Sequence, residues 1–87
     1  MVVGKAETRG LRLEIGRQLR EARLDAGHTQ VNMAAEIGMP STYLSEVETG
    51  KHNITLDTLA GIASYLGLDV KVEFVPKPTR KRRAARK

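Results

Sequence analysis

Residues 41–53 contain many polar side chains that can form hydrogen bonds, but these side chains form no catalytic arrangement. Among them are Ser41, Thr42, Ser45, Glu46, Lys51, His52 and Asn53. Hydroxyl, amide and ammonium groups of this kind donate to polar or anionic ligands. The chain has no cysteine and two histidines. It shows no nucleophile paired with a base, no Gly-rich phosphate loop and no metal-ligand cluster. We therefore expect a binding protein without metal or cofactor, not an enzyme.

Four of these side chains lie on the second of two short predicted helices that are joined by a glycine turn. Helix two is predicted over 30–37, with Thr29 as its N-cap, because a threonine hydroxyl accepts an unpaired backbone N–H. Helix three is predicted over 41–48, and Gly38 between the two permits the positive φ of a tight turn. This is the layout of a helix-turn-helix, which places its second helix in the major groove of DNA.

Two further helices complete the predicted bundle. Helix one is expected over about 10–26, and helix four follows an N-cap at Thr55. Apolar residues recur every three or four positions along both, which predicts one buried stripe on each helix. The stripes are Leu11, Ile15, Leu19, Ala22 and Ala26, and then Leu56, Leu59, Ile62, Ala63 and Leu66. With these four predicted helices, the expected fold class is mainly α.

The periodicity changes to two after helix four. Val70, Val72 and Phe74 alternate with the charged Lys71 and Glu73, which is typical of a strand with one apolar face. A lone strand cannot satisfy its backbone groups, so we expect it to pair with the same strand of a second copy. An antiparallel pair centred on Val72 sets Lys71 opposite the partner's Glu73, a favourable pairing. Packing on helix one, or fraying, is the alternative.

Positive charge is concentrated at the carboxyl end. Residues 77–87 hold seven of the fifteen basic residues and no acid, which leaves residues 1–76 with a net charge of −2. Such a run of like charge binds phosphates without sequence preference, or an acidic groove on a protein. No apolar run reaches the length of a membrane span. The expected divisions are a flexible leader (1–8), the DNA-binding domain (9–68), the dimerisation strand (69–76) and a disordered basic tail (77–87).

Residues 15–68 resemble the helix-turn-helix family of phage repressors and Xre-type regulators. The matching residues are Leu19-Arg20-Glu21-Ala22-Arg23, Gly27-His28-Thr29-Gln30, Ala34, Gly38, Tyr43-Leu44-Ser45, Val47-Glu48, Gly50-Lys51, Leu59, Ile62-Ala63 and Leu66-Gly67. The resemblance implies a compact λ-repressor-like bundle of four to five helices that binds palindromic operator DNA as a homodimer, in the cytoplasm at the nucleoid. Pro40 stands where the family has a capping Ser or Thr. Helix three therefore starts either with Pro40 in its first turn or with Ser41 as its cap.

The resemblance also implies roles for single residues. Gln30 would bond a phosphate and brace helix three, the alternative being an exposed surface glutamine, and Arg23 and Glu48 would form a buried ion pair. Tyr43 would contact phosphate or belong half to the core. By the chemistry of its own carboxylate, and not from the resemblance, Glu46 either accepts from cytosine or repels phosphate. The candidate DNA-binding residues are Thr29, Gln30, Ser41, Thr42, Tyr43, Ser45, Glu46, Lys51, His52 and Asn53.

The strand after the bundle is similar to that of HipB-type antitoxins, which bind operator DNA and a kinase toxin. That resemblance implies a repressor that is also an antitoxin, with a HipA-like kinase toxin as its partner. A phage-type repressor or a restriction-modification controller, neither of which has a toxin partner, is the alternative. A protein-binding module without specific DNA binding is a third, because residues 1–76 are not basic.

Overall fold

The computed structural model describes residues 8–78 and contains four helices in that range. They are α1 (Thr8–Asp25), α2 (Gln30–Ile37), α3 (Ser41–Glu48) and α4 (Leu56–Tyr65). The four predicted helices are confirmed, and a fifth is not present in the part of the chain described. None of the four is both long and apolar enough to cross a lipid bilayer. Most of the predicted leader and basic tail, residues 1–7 and 79–87, lies outside the described residues.

All four helices contribute to one core. Met33, Leu44 and Ile62, from α2, α3 and α4, are its largest completely enclosed side chains, and Leu19 of α1 packs with them. The other buried apolar residues are Ala34, Val47 and Ala63. Burial of a large apolar side chain stabilises a fold by roughly 1.5–3 kcal/mol. This shared core therefore holds α2, the turn and α3 as one unit.

Three residues of the predicted stripes are exposed. Leu11 is 58% and Leu56 is 74% exposed, and Ala26 is exposed in the turn after α1. Leu11 and Leu56 lie in the first turns of their helices, where side chains lean back towards the helix start and away from the shared core. Apolar periodicity predicted them as buried because it does not show where a helix extends past its neighbours.

Helices α1 and α3 touch backbone to backbone at Gly16. A Cβ atom at this position would lie 2.5 Å from the carbonyl oxygens of both Val47 and Glu48, a distance that real Cβ atoms essentially never show. A glycine in a helix interior costs about 0.5–1 kcal/mol relative to alanine. At Gly16 this cost is offset by the close approach of α3. Gly16 and Leu19 therefore both belong to the buried face of α1.

The turn between α2 and α3 has the predicted glycine geometry, and α3 begins at Ser41 as predicted but with a different capping residue. Thr29 caps α2 by accepting a backbone N–H at 3.1 Å, and Gly38 adopts a φ of 80°. Pro40 is itself the N-cap of α3, with φ −64°, ψ 143° and no side-chain cap, and Ser41 is the first helical residue. Both sequence-based alternatives for Pro40 are therefore wrong. Because proline has no side-chain acceptor, the first backbone N–H groups of α3 are left for solvent or a ligand.

Residues 68–78 form neither a helix nor a strand in the described chain. Val70, Val72 and Phe74 are all exposed, Phe74 at 95%. The predicted strand is therefore wrong for the single chain, and so is the alternative that the segment packs on helix one. A strand needs backbone groups to pair with, and no neighbouring segment of residues 8–78 supplies them. Pairing with a second copy stays a prediction.

Candidate nucleic-acid interface

Helix α3 presents a row of polar side chains on the face opposite its buried residues. Because its apolar side chains point into the core, residues about half a turn away face outward. Thr42, Glu46 and Thr49 are exposed there, and Ser45 is half-buried at the edge of the same face. We call these four residues the outer row. Ser41, at the start of the helix, is half-buried beside it.

A buried ion pair joins α1 to α3 behind the outer row. Arg23 donates from Nε to Oε2 of Glu48 at 2.7 Å and from Nη2 to Oε1 at 3.1 Å. Its third nitrogen, Nη1, donates to the carbonyl oxygen of His28 at 2.8 Å. The side chains of Arg23 and Glu48 are only 7% and 1% exposed. Because a two-pronged arginine–carboxylate contact fixes orientation as well as distance, this pair sets the position of α3 against α1.

Gln30 joins the same carboxylate from α2. Its Nε2 donates to Oε1 of Glu48 at 2.9 Å. Gln30 is the first residue of α2 and Glu48 the last of α3, so this bond ties the two helices of the helix-turn-helix together. The amide nitrogen carries a second hydrogen, which stays available to an anion. In the protein without a ligand, Gln30 is therefore a bracing residue and not a free surface side chain.

Glu46, His52 and Tyr43 form a polar cluster at the exposed edge of α3. Nε2 of His52 and Oε1 of Glu46 are 2.7 Å apart. The rings of His52 and Tyr43 lie face towards face, with centroids 4.6 Å apart and planes inclined by 31°. Tyr43 also packs against the core. Of the two roles predicted for Tyr43, phosphate contact and partial membership of the core, the structure shows the second.

The loop after α3 carries two unpaired polar side chains. Gly50 adopts a φ of 80°, and the backbone N–H of Lys51 donates to the carbonyl oxygen of Glu46 at 2.9 Å, which closes the end of α3. The side chains of Lys51 and Asn53 are exposed and have no protein partner within residues 8–78. Both side chains are therefore free to contact a ligand that lies against α3.

Two residues that position α3 were not predicted from the sequence. Arg12 donates from Nε to the carbonyl oxygen of Gly50 at 3.1 Å, just past the C-terminal end of α3, where helix carbonyls carry partial negative charge. Gly16 allows the close approach of α1 to α3. A glycine inside a run of helix formers is a recognisable signal of such a contact. Arg12 gave no comparable signal because its partner lies 38 residues away.

A shallow groove of about 500 Å³ is lined by residues of α2 and α4 and by the turn before α2. The rings of His28 and Tyr65 lie 5.4 Å apart there, and the Tyr65 hydroxyl donates to Oε1 of Glu36 at 3.3 Å. Partial burial, followed by the nearby Glu36 carboxylate, raises the pKa of Tyr65. In this groove, the Tyr65 hydroxyl and the Glu36 carboxylate are thus paired with each other.

A helix-turn-helix held in a four-helix bundle, with polar side chains on the outer face of its second helix, defines the class of helix-turn-helix DNA-binding proteins. Residues 14–73 match the helix-turn-helix domain family, and the chain belongs to that family. The family resemblance drawn from the sequence is confirmed at this level.

Three similar proteins are regulators by name. Control protein C.BamHI of Bacillus amyloliquefaciens is 34% identical over 65 residues, which is 74% of this chain and 80% of that protein. The clp gene regulator ClgR from C. glutamicum matches with a TM-score of 0.67 and 35% identity, over 69% of this chain and 77% of that one. The restriction-modification controller protein C.AhdI from Aeromonas hydrophila matches with a TM-score of 0.65 and 28% identity, over 69% of this chain and 91% of that one. None of these names is that of an antitoxin, so the finer resemblance to HipB-type proteins gains no support.

Proposed function

We propose that this protein is a sequence-specific transcription regulator that binds a palindromic operator. The observation that carries the proposal is the outer row of α3, which is polar and solvent-facing while the inner face of the helix is fixed by the core and by Glu48. A helix held in this way needs little ordering when it enters a major groove, and ordering costs reduce affinity. Two copies would read half-sites about 10 bp apart, or a multiple of that spacing.

The proposed base contacts come from the outer row. Thr42 and Ser45 donate and accept hydrogen bonds to base edges, and the methyl group of Thr42 can contact the methyl group of thymine. Glu46 is the only residue of the outer row whose side chain accepts hydrogen bonds but cannot donate one. Thr49 joins the candidates because it is exposed on the same face, although its hydroxyl already donates to backbone carbonyls of α3.

The proposed phosphate contacts surround that row. Backbone N–H groups at the uncapped start of α3 are suited to an anion, and so is the second amide hydrogen of Gln30. Lys51 adds a positive charge in the loop after α3. The other proposed phosphate-contacting residues are Thr29, Ser41, Tyr43 and Asn53, whereas the His52 ring faces the Glu46 carboxylate. Such contacts fix the register of a protein on the duplex but carry no sequence information themselves.

The homodimer is part of the proposal. Exposed apolar residues alternate with charges over 69–76, and an extended segment with unpaired backbone groups is a ready template for pairing. Antiparallel pairing with a second copy would cover Val70, Val72 and Phe74 and would give the symmetry that a palindrome requires. No other part of residues 8–78 carries so many exposed large apolar side chains in succession.

Among transcription regulators, the restriction-modification controller is the kind that the similarity to C.AhdI supports best, and C.BamHI is likewise a control protein by name. The antitoxin role, with a HipA-like kinase as partner, is supported only by the sequence pattern of residues 69–76. Purification together with the products of neighbouring genes separates the two kinds. A stable complex with a kinase supports the antitoxin, and recovery of the regulator alone supports the controller or a phage-type repressor.

The first experiment is fluorescence anisotropy of the full chain on its own upstream DNA and on a scrambled duplex, at two salt concentrations. Specific regulators prefer their operator by about a thousandfold or more, and that preference is the expected result. Thr42→Ala should weaken binding to the operator and leave the scrambled duplex unaffected. Ser64→Ala, an equally small change at an exposed position of α4, serves as the matched control.

A protein-binding module is the second candidate, because residues 1–76 carry a net charge of −2. It predicts equal affinity for both duplexes, lost at high salt and lost when residues 77–87 are removed. That result would contradict the proposed operator binding and would assign the outer row to a protein partner.

A further inference from the structure

The outer row contains one carboxylate, on a surface that the proposed function turns towards DNA. The side chain of Glu46 is 48% exposed and lies between Thr42 and Thr49 on that face. A phosphate backbone repels an unpaired carboxylate, and salt at physiological concentration screens most of this repulsion only beyond about 8 Å. The carboxylate is therefore compatible with DNA binding only if its charge is offset or if it meets a hydrogen-bond donor on the bases.

His52 holds this carboxylate in one position. Its Nε2 lies 2.7 Å from Oε1 of Glu46, a short contact of the kind that charge-assisted hydrogen bonds show. The His52 ring is held in turn by the ring of Tyr43, which packs against the core. The core thus fixes the Tyr43 ring, the Tyr43 ring limits the movement of the His52 ring, and His52 fixes the Glu46 carboxylate.

The second oxygen of the carboxylate is free. Oε2 of Glu46 has no protein partner within the described part of the chain. A carboxylate oxygen accepts hydrogen bonds and cannot donate when ionised. In the major groove, the amino group on C4 of cytosine is the donor that Glu and Asp recognise.

We propose that Glu46 is a specificity-determining residue that accepts a hydrogen bond from the amino group of a cytosine, and that His52 is the positioning residue that orients it. This inference rests on the proposed operator binding and adds the class of base that the outer row reads. Oε1 is used for orientation and Oε2 for recognition. Tyr43 contributes by limiting the rotation of the His52 ring.

The test is a base-substitution scan of the operator with the full chain, in which every position of one half-site is replaced in turn. For wild-type protein, one cytosine per half-site should be required. Glu46→Gln should reduce the discrimination at that position by about tenfold, within the range expected for one base contact. All other positions should keep their wild-type profile. The inference is overturned if Glu46→Gln raises affinity equally for every sequence, since Glu46 would then act only by repelling phosphate.

His52→Ala separates positioning from phosphate binding. The expected result is a loss of discrimination at the same cytosine, and no further loss when His52→Ala is added to Glu46→Ala. A uniform loss on all sequences, with a shallower salt dependence and an unchanged base profile, would show that His52 contacts a phosphate and would overturn its positioning role.

Glu36→Gln is the matched control, because Glu36 is also an exposed carboxylate that accepts a hydrogen bond from a neighbouring ring, here the hydroxyl of Tyr65. It makes the same change of charge on α2 and should leave the base profile unaltered.

The wild-type scan separates the failure of the proposed function from the failure of this inference. If wild-type protein shows no operator preference, the proposed function fails, whereas a preference that Glu46→Gln does not alter overturns this inference alone.

Discussion

The guanidinium of Arg23 and the carboxylate of Glu48 meet in the interior, 2.7 Å apart at Nε and Oε2, although 25 residues separate them in the chain. The carboxylate also accepts the side-chain amide of Gln30. Three helices are therefore joined at one buried anion. This relationship connects stability to function, because the same group that stabilises the bundle sets the angle at which the outer row of α3 faces a ligand.

Glu48→Ala should destabilise the domain by about 3–5 kcal/mol, because removal of one partner leaves the Arg23 charge buried without compensation. Urea unfolding followed by circular dichroism measures this change. Glu21→Ala is the control: Glu21 pairs with Arg17 on the surface, where its side chain is 58% exposed, and surface pairs contribute about 0–1 kcal/mol. A Glu48→Ala protein with an unchanged unfolding midpoint and no DNA binding would contradict the structural role.

Gly16→Ala should destabilise the protein by about 1–3 kcal/mol, the usual cost of overpacking. The added Cβ meets two backbone carbonyl oxygens at 2.5 Å, and backbone cannot move aside as a side chain can. Gly61→Ala is the matched control, since nothing lies within 4 Å of the position that its added Cβ would take. It should stabilise α4 by about 0.5–1 kcal/mol. Thermal denaturation of the two variants should move in opposite directions, and equal shifts would show that α1 and α3 are farther apart.

Lys71→Glu should weaken the proposed dimer, because it sets two like charges opposite each other in an antiparallel pair centred on Val72. Adding Glu73→Lys reverses both charges and should restore the dimer. Light scattering at micromolar concentration measures the mass of each variant. A monomeric wild-type protein, or a double variant as weak as the single one, would exclude this register.

Lys51→Ala should reduce DNA affinity by a similar factor for operator and scrambled duplexes, because a lysine on a phosphate carries no sequence information. The slope of log affinity against log salt should fall by about one, as expected for one lost phosphate contact. Asn53→Ala, two residues further along the same loop, removes no charge and should leave the slope unchanged. A change in base preference caused by Lys51→Ala would place the lysine against bases instead.

Deletion of residues 77–87 should flatten the salt dependence while sequence preference is kept. If the tail makes four to six phosphate contacts, the slope falls by roughly four to five. Anisotropy titrations from low to high salt measure it. Loss of sequence preference on deletion would show that the tail does more than add non-specific affinity.

Local chemistry explains which features could be read from the sequence. A glycine with positive φ follows each of the four predicted helices, and Thr29 and Thr55 cap their helices through their own hydroxyls. These features depend on neighbours only a few residues away. The ends of the helices and the helix-turn-helix layout were for that reason predictable. The role of Pro40 as the N-cap of α3 was not, because the local sequence suited two other arrangements equally well.

The sequence by itself determined four helices, their order, the turn between α2 and α3 and a set of polar residues on α3. Only the tertiary structure decided which of them cooperate. The contacts of Arg12 with Gly50 and of Gly16 with the end of α3 join residues more than thirty positions apart. The contact between the His52 ring and the Glu46 carboxylate depends on how the chain folds back after α3. Local propensity carries no information on such distances, because they are set by packing of the whole bundle.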